Sequence, residues 1–230
     1  MADLRNLRAL LRHAATAALA ILLAVPLHAQ DRAEEAYNAC SNATALESQS
    51  IEALAQLGWM ERQTASAEIR DHFTDGFLAA MTTTRDKPIV WDNAFQSSIN
   101  AAGTILSGAT NGFGRLFTVG DPIESILVVV PPQNVNPNWT MSRCIYSGPF
   151  GESISSFLNS TRAMDERAGV EQASAGLDIF TLRTQQQDAE TGRTIVLDAQ
   201  FGVFTDDVAE VMGRKPKVPG GMSFNRLTQR

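Results

Sequence analysis

Along residues 31–57, Ala36, Ala39, Cys40, Ala43, Leu46, Ile51, Leu54 and Leu57 fall on one side of a helical wheel. That spacing predicts a helix with a core-facing stripe. Gly58 stands where a left-handed residue ends a helix, and the weak helix formers Asn42 and Thr44 mark a point where it can break. A second helix is predicted over 65–81, with Ala65, Ile69, Phe73, Gly76, Phe77 and Ala80 inward. A third is predicted over 91–106, with Trp91, Ala94, Phe95, Ile99, Ala102, Ile105 and Leu106 inward. Its opposite side (Asp92, Asn93, Gln96, Ser97, Asn100) is polar but barely charged.

Near residue 108 the period changes. Residues 107–114 form a turn-rich joint. The run Ile126 to Val130, closed by Pro131 and Pro132, predicts a buried strand. The segment Asp121-Pro122-Ile123-Glu124 predicts a single helical turn feeding it. Further strands are expected over 139–146, carrying Cys144, over 177–185 and over 194–204, with a helix over 153–164 between the first two. In the last strand Ile195, Leu197, Ala199, Phe201 and Val203 share one face. Thr194, Asp198 and Gln200 share the other, which predicts a face that is wet or covered by a polar element. A short helix is expected over 206–212. Helices followed by strands with an inserted helix predict an α+β fold: N-terminal helices packed on a small, mostly antiparallel sheet of about four strands.

The chain begins with an export pattern. Arg5, Arg8, Arg12 and His13 precede the apolar stretch 14–25, then Pro26, and then Leu27-His28-Ala29 before Gln30. This predicts a cleaved signal over residues 1–29 and a single α+β domain over 30–212. No apolar run reaches the roughly 18–20 residues that span a bilayer, so no transmembrane segment is expected in the mature chain. Cleavage removes three Arg and Asp3 and moves the net charge from −6 to −8, leaving His72 as the last histidine. An acidic body excludes general nucleic-acid binding. Two cysteines in an exported chain predict a Cys40–Cys144 disulfide. Residues 213–230 hold Arg214, Lys215, Lys217, Arg226 and Arg230 and no acid. With their Gly and Pro they predict a disordered basic tail, whose partners would be another envelope protein, an anionic surface or the acidic body itself.

Candidate chemistry is sparse. Glu68, His72 and Asp75 are helical neighbours, a spacing that suits a carboxylate-oriented general base or part of a metal site. There is no Gly-x-Ser-x-Gly and no Ser-x-x-Lys, and the Gly-rich segment 111–115 lacks a phosphate-loop pattern. No cofactor and no metal is predicted. The layout resembles that of small exported proteobacterial proteins of unknown function. The likeness lies in the Ala-rich leader, a Cys on an early helix ending Leu57-Gly58-Trp59, and a mid-chain strand bearing the second Cys. It carries no catalytic motif and implies no activity.

These readings favour a periplasmic or secreted protein that acts by binding, as an envelope accessory, inhibitor or ligand-binding module, more than an enzyme. Asn93, Gln96 and Asn100 are its candidate contact residues. The alternatives are a small exported hydrolase or metal-dependent enzyme using His72 with Glu68 or Asp75, and a structural envelope-associated protein.

Overall fold

The computed structural model describes residues 31–41, 48–82, 89–167, 175–189 and 191–230. The predicted signal and the predicted helix break at Asn42 and Thr44 lie outside the described residues. The fold is α+β, as the pattern predicts. Its elements are α1 (Arg32–Ser41), α2 (Ser48–Gln56), β1 (Met60–Arg62), α3 (Ala67–Met81) and α4 (Trp91–Gly108), which runs into a wide turn, Ala109–Phe113. Then follow β2 (Arg115–Val119), β3 (Ser125–Asn136), β4 (Trp139–Ser147), α5 (Glu152–Arg167), β5 (Leu177–Gln187), β6 (Thr194–Phe204), α6 (Val208–Met212) and β7 (Gly220–Gln229). Among the described residues no helix is long and apolar enough to cross a membrane.

The strands make one antiparallel sheet in the order β1-β2-β3-β4-β7-β6-β5. It has seven strands, not the expected four. Strand β1 is only three residues long and mostly exposed, so period-2 burial leaves no trace in it. Strand β2 hides beside the turn-rich joint. The predicted disordered tail contains β7, which pairs with β4 on one side and β6 on the other. Its apolar alternation, Met222 then Phe224, is weak in sequence because two glycines open the strand and buried Arg226 interrupts it. Strand β3 also runs past Pro131 and Pro132. Neither proline can donate to a ladder, and both sit where the β3–β4 register shifts between Val130 and Gln133.

Each face of the sheet carries its own core. On the first, α1, α2 and α5 cover Phe117, Leu127, Tyr146, Met222, Phe224, Phe201 and Phe180. The Cys40–Cys144 disulfide pins α1 to β4 on this face. The closed loop spans 104 residues, which chain entropy values at about 4–5 kcal/mol. Gly58 ends the second helical segment with φ of +87°, as expected. Trp59 turns in behind it and donates from Nε1 to Glu35 Oε2 at 2.7 Å. On the second face, α3 and α4 cover Leu116, Ile126, Val128 and Ile145 with Ile69, Phe73, Phe77, Ala102 and Leu106.

Helix α3 lies directly on sheet backbone. A Cβ at Gly221 would overlap the Gly76 carbonyl, one at Gly202 would overlap that of Ala79, and one at Gly76 would overlap Ser147. Ser147 donates to the His72 carbonyl at 2.6 Å. Gln200 donates to the carbonyls of Ala80 and Thr82 at 2.8 and 2.7 Å, closing the helix end. The polar face predicted for β6 therefore meets the last turn of α3. Gly221→Ala should lift α3 off the sheet and cost about 3 kcal/mol. Urea denaturation reads this directly, and an unchanged midpoint would refute the close approach.

Candidate functional site

A cleft of about 520 Å³ opens between α3, α4 and the segment 213–219 that leads into β7. Helix α3 is started by Ser66, whose Oγ accepts from the Ile69 main-chain N–H at 3.2 Å. Its depth on the sheet is set by Gly76. The preceding residue, Asp75, is consequently carried under the incoming C-terminal segment and is 1% exposed. Its carboxylate accepts from both terminal nitrogens of Arg214 and, at 2.7 Å, from the Lys217 main-chain N–H. The Arg214 guanidinium also lies 4.2 Å from the centre of the Phe95 ring, within cation–π range. One buried acid thus ties the segment down as a strap across the end of the cleft. Of the three partners expected for the basic residues, Arg214 takes the protein's own acidic body.

The walls divide by chemistry. Phe95, Ile99 and Leu106 form an apolar side, and Ile99 remains 39% exposed. Arg70, Asp71, Thr74 and Lys217 line the polar side. Gly103 lies between them on α4, and a Cβ there would meet nothing within 4 Å. A glycine in mid-helix costs roughly 0.5–1 kcal/mol relative to alanine. No tight packing requires it at this position, and what its missing side chain leaves is cleft volume.

The structure places the predicted site residues differently. His72 Nδ1 donates to the main-chain carbonyl of Glu68 at 2.9 Å, not to a carboxylate. Glu68 is exposed, and Asp75 is committed to Arg214 and Lys217. The three side chains are not brought together. Among the described residues no group of three or more His, Cys, Asp and Glu could hold a metal ion. Asn93, Gln96 and Asn100 are exposed on α4 and none lines the cleft. The cleft residues Arg70, Gly103, Arg214 and Lys217 were not singled out as site residues by the sequence. The available signal was Gly103 inside a helix whose apolar stripe is wider than its buried face.

A smaller recess of about 200 Å³ lies on the other face, lined in part by Phe150, Arg162, Phe180 and Val203. Arg162 pairs there with buried Asp178. Burial pushes the Asp178 carboxyl above the ordinary carboxylate range, and Arg162 opposes the shift. No family model, curated protein or solved structure matches this chain.

Two outcomes follow from these contacts. Asp75→Ala should free the strap, seen as rapid trypsin cleavage after Arg214 and Lys217, whereas the parent chain resists; equal resistance would mean that the strap is held by something else. Asp178 binds its proton more tightly in the folded state than in the unfolded chain. Its contribution to stability is therefore gained as pH falls through the folded pKa and is lost as pH rises. The stability difference between the parent chain and Asp178→Asn should accordingly rise on acidification from neutral pH, and a flat difference would contradict the sign.

Proposed function

We propose that this chain is an extracytoplasmic binding protein and that the α3–α4 cleft is its binding site. The observation that carries the reading is the strap. Asp75 satisfies Arg214 and the Lys217 N–H internally, so one end of the cleft is built and held without a ligand. A pre-formed concavity with one apolar wall and a few polar groups is the usual form of a small-molecule site, and its volume lies within the roughly 300–1,000 Å³ of such sites. The Cys40–Cys144 bridge supports a location outside the reducing cytosol, in keeping with the export pattern of residues 1–29.

Protein recovered from the exporting cell should have the mass of a chain starting at Gln30, two hydrogens lighter for the disulfide. Native mass spectrometry should show a small molecule bound to it that is missing from Gly103→Leu. Full-length protein with two alkylatable thiols would overturn the location. The same bound species on Gly103→Leu would overturn the cleft.

A further inference from the structure

From the lining of this cleft we infer the chemical class of its ligand: an amphipathic monoanion, a carboxylate on an apolar body. The inference rests on the cleft being the binding site. The Arg214–Asp75 pair cancels within the wall, where both Arg214 terminal nitrogens donate to the Asp75 carboxylate. What remains is Arg70 and Lys217 against Asp71, one positive charge in excess. The chain as a whole carries −6, so this excess stands against the sign of the protein around it.

Neither cation has an acidic partner among the described residues. Among the described residues the Arg70 side chain donates only to the Ala65 carbonyl, and the Lys217 ammonium makes no hydrogen bond. The Lys217 main-chain N–H is already given to Asp75, so the anion is held by side-chain charge. Asp71 on the same rim limits the site to a single negative charge and disfavours a phosphate dianion. Opposite the cations, Phe95 and Ile99 present incompletely buried apolar surface, which an alkyl or aryl body would cover. Gly103 leaves the room for it.

Calorimetric titration of the disulfide-bonded protein with octanoate, 1-octanol, octyltrimethylammonium and octyl phosphate tests the class. Octanoate should bind at least about tenfold more tightly than the other three. Lys217→Gln should remove that advantage and leave octanol binding unchanged, while Lys215→Gln, outside the cleft lining, should alter neither. Gly103→Leu should abolish binding of all four at a melting temperature no lower than the parent chain's. Octanol or octyltrimethylammonium binding as well as octanoate, still blocked by Gly103→Leu, would sink the anion and spare the cleft. Tighter binding of octyl phosphate would sink the single charge. Binding indifferent to Gly103→Leu, or no binding by any probe, would overturn both the class and the site.

Discussion

The close seating of α3 on β7 and β6 governs the rest of the molecule. Backbone meets backbone at Gly76, Gly202 and Gly221, where side chains would hold the two layers apart. Helices packed on sheets are normally separated by the side chains between them. Here the separation collapses along one line and α3 sinks toward the sheet. That depth lets Ser147 reach the His72 carbonyl and Gln200 reach the helix end. It also buries Asp75, and a buried carboxylate requires partners. The strap supplies them.

Strand β7 joins the two halves of the sheet. Strands β1 to β4 form one antiparallel run and β5 with β6 another, and β7 alone bridges β4 to β6. The segment that delivers this strand is the same one that closes the cleft through Arg214 and Lys217. Completing the sheet and completing the cleft therefore both depend on the segment 213–229. The disulfide acts on the opposite face, where it ties α1 to β4 and leaves the cleft untouched.

Much of the fold was legible. The stripe in 65–81 and the alternation in 194–204 correspond to α3 and β6 because each turns a continuous set of apolar side chains into a core, Ile69, Phe73 and Phe77 from α3 and Leu197, Ala199, Phe201 and Val203 from β6, and such a set leaves its period in the sequence. Gly58 and the cysteine pair were legible because each has a local or compartmental cause. The strands that escaped had none of these signals. Glycines 220 and 221 reduce strand propensity, yet α3 passes directly above Gly221, and a Cβ at Gly220 would overlap the Gly202 carbonyl. Arg226 reads as solvated and is instead buried in the middle of the sheet. At the candidate site the helical spacing of Glu68, His72 and Asp75 is real, but spacing says nothing about which neighbour reaches a carboxylate first. Asp75 was taken by a residue 139 positions away.

By itself the sequence determined the helix faces, four of the strands, the α+β class, the paired cysteines and an acidic chain with cations gathered at its end. Each of these is written in short-range period, residue type or count. The tertiary structure alone decided that those cations enter the sheet and brace a cleft. That outcome depends on a glycine-to-glycine contact between segments far apart in the chain, and no local pattern encodes it.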